Sequence, residues 1–133
     1  MTRDRLLEKY ADFKKAVLRL KEVLELGTQH DYFIDAAIQR FEFTYELCWK
    51  LLKGYLEYTG VTEVNNPRAV FKEAFAIGII VNGESWISMI DDRNLTSHTY
   101  NEDMAMEIYQ RVSKVYFAQF MMVLERLAGE LGA

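Results

Sequence analysis

A chain of 133 residues, half of them hydrophobic, 27% charged and 14% aromatic, fits one globular domain with a well-filled core or an apolar contact face. Its net charge of −4 lacks the overall basic signature of nucleic-acid binding, so an anion site has to come from a local group of residues. The lone cysteine, Cys48, excludes an internal disulfide and fits a reducing cytoplasm.

The N-terminus, MTRDRLLEKY, is charged at once and has no apolar signal core. The longest apolar run, FAIGIIV at 75–81, is far short of the roughly 20 residues that span a bilayer. Neither secretion nor membrane insertion is expected. Two histidines and one cysteine, widely separated, make no metal-ligand cluster. No Gly-rich phosphate loop or nucleophile elbow is present, so neither metal nor cofactor is expected.

Leu6, Tyr10, Phe13, Val17, Leu20 and Leu24 recur at alternating spacings of four and three, which predicts a helix over 3–26 ended by Gly27. Asp31 is the expected N-cap of a second helix over 32–58. There Ile34, Ile38, Phe41, Tyr45, Cys48, Leu52 and Tyr55 repeat the spacing. Phe33, Ala37, Leu47, Trp49 and Leu51 widen its apolar face, so it should be buried on more than one side. Within it, Arg40, Glu42, Glu46 and Lys50 form a solvated stripe, a set from which Glu42 or Glu46 reaches the Arg93–His98 region, or an interface with a partner. Gly60 marks the exit.

Asn66 as cap, Pro67 at the first helical position and Gly78 after the end punctuate a short third helix over 68–77. Asn82-Gly83 is a turn. IIVNGES on its own permits a hairpin, but Trp86, Met89 and Ile90 return to helical spacing, over about 84–95. Asn101 caps the last helix, 102–128, whose first turn carries Glu102 and Asp103. Three long helices and a broken shorter pair with short connections predict an all-α, up-and-down antiparallel bundle of the four-helix type over residues 1–133.

The stretch DDRNLTSHTYNED, 91–103, joins two of these helices. On one unbroken helix Arg93 and His98 lie about 140° apart. They share a face only if the helix ends between them, which Ser97, Thr99 and Asn101 favour. The pair would suit metal-independent cleavage of an RNA phosphodiester by its own 2′-hydroxyl, with the imidazole moving the proton and the guanidinium holding the phosphorane charge. Tyr100 adds a hydroxyl that can accept a transferred group. The plain alternative is a loop histidine satisfied by a carbonyl, with Arg93 in a surface ion pair to Asp91 or Asp92.

RNLTSHTY, 93–100, resembles the R-x4-6-H signature of the HEPN superfamily, in the R-x4-H-x-Y form of HEPN partners of minimal nucleotidyltransferases. QRFEFTYELCWKLLKGYLEYTG at 39–60, NPRAVFKEAFAIGII at 66–80 and the 86–102 segment around WISMIDDRNLTSHTYNE are similar to the nucleotidyltransferase substrate-binding proteins. The resemblance covers about 35–115. It implies a HEPN-like bundle, a homodimer and a separately encoded minimal nucleotidyltransferase partner for which this chain is the substrate-binding or acceptor component in a toxin–antitoxin-like module. The alternative it implies is a metal-independent endoribonuclease toxin, with Arg93 binding phosphate and His98 transferring protons, silenced by nucleotidylation of Tyr100. Asn94 matches the polar residue that follows the arginine. With Arg68 and Lys72, one turn apart on the third helix, it is a candidate contact to phosphate or nucleotide, the ligand being RNA or a nucleotide.

Trp49 and Trp86 are expected in the core. Phe117, Phe120, Met121 and Met122 are too apolar for one stripe and are expected to pack on a second subunit.

Overall fold

The structure, a computed structural model, describes residues 1–28, 32–98 and 101–133, and of His98 the backbone alone. The helices are α1 (Arg3–Leu26), α2 (Phe33–Tyr58), α3 (Pro67–Ala76), α4 (Gly83–His98), α5 (Glu102–Arg111) and α6 (Phe117–Leu131), the last two joined through a π-helical turn, Val112–Tyr116. Residues 83 onward are helical, as their spacing implied, and no strand occurs among the described residues.

The ends follow local chemistry. Thr2 caps α1 by accepting from the Arg5 N–H, and Gly27, at φ 64°, closes it with an N–H bond to the Leu24 carbonyl. The α2 cap position is Tyr32, without a side-chain bond; the expected cap, Asp31, lies outside the described residues. Asn66 and Asn101 cap α3 and α5 as expected, Asn101 accepting from both Asp103 and Met104 N–H.

Helix directions can be read from residue pairs. Arg3 donates to the Leu131 carbonyl and Tyr10 to that of Leu124, so α1 runs antiparallel to α6. Thr44 reaches the Ala16 carbonyl while Gly54 lies against Leu6, so α1 and α2 are antiparallel. On α4, Trp86 meets Gln119, Ser88 meets Tyr116 and Asp92 meets Arg111. The last long helix therefore runs antiparallel to α4, which completes the up-and-down bundle. The short α3 packs on α2 and α4.

Rings fill the middle. Phe120 lies 6.2 Å from each of Phe13, Phe41 and Trp86, Phe41 stacks on Tyr116 at 5.6 Å, and Phe71 bridges Tyr45 and Trp86. Trp86 is buried as expected and its indole N–H donates to Gln119 at 3.2 Å. Trp49 is only partly buried. Phe120 belongs to this core rather than to an outer contact face; Met122, on the same helix, is exposed. Cys48 is fully buried, and burial pushes its thiol well above its ordinary pKa.

Two expectations need correction. The last helix is not one regular segment, because residues 112–116 follow an i→i+5 pattern in which the Phe117 N–H bonds to the Val112 carbonyl. And α4 does not end between Arg93 and His98 but runs to His98. Ser97, read as a helix ender, and its neighbour Thr96 instead bond back to the Arg93 carbonyl at 3.4 and 2.8 Å, a local bond that a hydroxyl can make without leaving the helix.

Candidate functional site

Arg93 leaves α4 toward α2. Its Nη1 is 3.2 Å from Glu42 and its Nε 3.8 Å from Glu46, and Nη1 also donates to Ser97 Oγ. Glu42 and Glu46 are one helical turn apart, a like-charge pair that isolated α2 would carry at a cost. The guanidinium between them reverses that sign. At 3.8 Å the Glu46 contact is ionic and too long for a hydrogen bond, which leaves Arg93 Nε a buried donor without a hydrogen-bond partner among the described residues. Glu46 is held in turn by the Trp49 indole at 3.1 Å and by Lys50 at 3.9 Å. So the polar stripe of α2 does reach the Arg93 region.

Gln39, Glu42, Phe43, Glu46 and Arg93 line an open groove of about 310 Å³. Beside it, burial first and then the charge of Glu46 raise the pKa of Tyr45, while Arg93 and Arg68 pull it down. Arg68 therefore bears on the same tyrosine from the α3 side. Yet Arg68 and Lys72 line a different hollow of about 610 Å³, with Phe71, Phe75, Trp86 and Ile87, and Lys72 does not join the Arg93 groove. Asn94 is exposed on α4.

His98 is the last residue of α4, so the backbone positions of 93 and 98 sit on one regular helix, about 140° apart in direction. Tyr100 lies outside the described residues, as does Thr99. The cleft that the sequence reading placed between Arg93 and His98 of one chain is therefore not formed by a bend.

A second polar cluster escaped the sequence reading. Asp92, buried, accepts from Arg111 Nε and Nη2 at 2.6 and 2.8 Å and from the Tyr116 hydroxyl at 2.5 Å. Ser88 shares a 2.7 Å bond with that hydroxyl. Asp92 thus pairs with Arg111, not with Arg93 as the plain alternative had it. Hydrogen bonding to Asp92 raises the Arg111 pKa, and burial with the Asp92 bond pushes that of Tyr116 up to about 12. The i→i+5 turn brings residues five apart nearly over one another, so Arg111 and Tyr116 meet one carboxylate. The cluster fixes the roll of α4 and with it the direction in which Arg93 points. A signal was present: Asp92 follows Met89 by one turn on the stripe that buries Trp86 and Met89, and a carboxylate there needs a buried partner.

Residues 8–129 match the family described as nucleotidyltransferase substrate binding protein like. The probable ribonuclease HepT of Haemophilus influenzae is 33% identical over 101 residues, 73% of this chain and 68% of that protein. A Thermus thermophilus protein of known crystal structure is 35% identical, with a TM-score of 0.74 over 91% of this chain and 99% of that one. The tri-AMPylated HEPN toxin of Shewanella oneidensis, solved in complex with its MNT antitoxin, is 19% identical and shares the fold, with a TM-score of 0.77 over 97% and 99% of the two chains.

Proposed function

The chain belongs to the nucleotidyltransferase substrate binding protein like family, and from that premise we propose that it is a HEPN-type subunit that pairs with a separately encoded minimal nucleotidyltransferase. In this reading residues 1–133 are one cytoplasmic HEPN-like domain, assembled as a homodimer, and the pair forms a toxin–antitoxin-like module. The observation that carries the reading is the family match over 8–129, within which the segment 93–100 keeps the Arg, His and Tyr of the motif.

Tyr100 is the acceptor. Its phenolic oxygen attacks the α-phosphorus of ATP, the bond to pyrophosphate breaks, and the phenolic proton leaves to a base. Asn94, Arg68 and Lys72 are the candidate contacts for the nucleotide phosphates. Co-purification with the neighbouring nucleotidyltransferase should yield a complex. Incubating that complex with ATP should add adenylyl mass to the wild type and none to Tyr100→Phe. Failure of the two proteins to associate at micromolar concentration would sink the reading.

The 33% identity to a probable ribonuclease and the partly buried Arg93 favour a second reading, metal-independent endoribonuclease activity. Arg93 would take the scissile phosphate from the carboxylates that now hold it, and His98 would move the proton of the 2′-hydroxyl. With the helix unbroken, the histidine facing a given Arg93 is more simply supplied by the other subunit of a homodimer. Purified protein should cut RNA in EDTA, and His98→Ala should abolish cutting while partner capture persists. Intact RNA with wild-type protein free of the modification rejects this reading and leaves the first standing.

A further inference from the structure

Phe43 is 52% exposed and forms a wall common to two hollows. On one side is the groove that holds Arg93. On the other is a groove of about 300 Å³ between α1 and α2, lined by Lys15, Arg19, Arg40, Asp12 and Leu47. Lys15 and Arg19 stand one turn apart on α1, roughly 6 Å along its axis, and Arg40 meets them from α2.

Among the described residues none of these three cations has an ion-pair partner; that is also true of seven other Lys and Arg side chains, and what sets these three apart is that they line one groove. Asp12 is the one carboxylate on this groove's wall. Three unpaired cations crowded together repel one another, and an anion in the groove relieves that repulsion. An aromatic ring left half in water beside them offers a face to a planar group.

We propose that the α1–α2 groove is a track for single-stranded RNA: Lys15, Arg19 and Arg40 hold successive phosphates, one base stacks on Phe43, and the strand passes over that ring into the Arg93 groove. Cations along a groove with an exposed aromatic are the elements of sequence-tolerant single-strand binding. An acidic protein segment would use the cations but gain little from the ring. The inference takes its ligand class from the ribonuclease reading above.

Binding is tested apart from cleavage with a fluorescent, 2′-O-methylated oligouridine, which lacks the attacking hydroxyl, by anisotropy across a salt series. Wild type should bind, more weakly as salt rises. Lys15→Gln/Arg19→Gln should weaken binding at least tenfold and flatten the log–log salt slope by about 1.4, the share of two phosphates. Phe43→Ala should weaken binding at least fivefold. Lys21→Gln, about 200° round α1 from Arg19, should change neither, with circular dichroism confirming that each variant is folded.

No binding by wild type, or equal binding by the double variant, overturns the track. So does a double variant that binds RNA normally but no longer captures the nucleotidyltransferase, since the groove would then belong to that protein. If wild type binds the modified strand through these residues but leaves unmodified RNA intact, the track stands and the ribonuclease reading falls.

Discussion

Replacing Arg111 by alanine strands the Asp92 carboxylate. That side chain is 5% exposed and accepts two bonds from Arg111 and one from Tyr116. Only the phenol remains when the guanidinium is gone. Breaking a buried pair by removing one partner costs about 3–5 kcal/mol. Arg111 is itself 38% exposed, so water follows into its place and the cost falls to about 2–3 kcal/mol. For 133 residues the unfolding entropy is about 0.28 kcal/mol/K, so the midpoint should drop by roughly 7–11 °C. Asp92→Ala should cost less, about 1–2 kcal/mol, because the freed arginine can turn to solvent. In the Asp92→Ala background the Arg111 change should then cost under about 0.5 kcal/mol, a coupling near 2 kcal/mol. Urea unfolding followed by circular dichroism, with thermal midpoints alongside, measures all four proteins. An Arg111→Ala midpoint within about 2 °C of wild type, or an undiminished Arg111 penalty without Asp92, would refute the reasoning.

Asn101→Ala, which removes the bonds to the Asp103 and Met104 N–H groups, should destabilise by about 1 kcal/mol, and Asn101→Gly by less; equal stability in denaturant would contradict the capping role. Burial and the bond to Asp92 push Tyr116 up to about 12, above its unfolded value of about 10. The folded state therefore holds this proton more tightly, so the stability it confers is whole below pH ~10 and lost as pH climbs toward ~12. Tyr116→Phe should flatten that decline in alkaline denaturation, and an unchanged slope would argue against it. Glu42→Gln/Glu46→Gln should release Arg93 for anions and tighten phosphate binding severalfold, read by chemical-shift titration of the Arg93 side chain; unaltered affinity would mean that the two carboxylates do not compete with the anion.

Much of the bundle was legible because its signals are local. The four-three spacing in α1 and α2, Asn66 and Asn101 as caps, and the Pro67 and Gly27 punctuation each act over a turn of chain, and each lies where it was expected. The reach of Glu42 and Glu46 toward Arg93 was one of three readings of a polar stripe, and the pairing of Arg93 with α2 rather than with Asp91 or Asp92 selects it. What could not be read was set by distant residues or by register. Ser97 and Thr96 suit either a helix end or a helix that bonds back to its own carbonyls, and composition cannot choose. Asp92 and Arg111 are nineteen residues apart, and their meeting depends on how α4 rolls against the last helix.

The odd turn at Val112–Tyr116 ties chain length to chemistry in the last helix. It holds one residue more than an ordinary ladder needs. Deleting exposed Ser113 would let the segment close as an ordinary helix of about 100° per residue, and four such steps from Arg111 return the phenol to nearly the direction that five looser steps give it now. A relative shortened by one residue between 111 and 117 can therefore keep both the acid at 92 and the phenol at 116. Aligning such shortened chains would reveal whether the network outlasts the insertion.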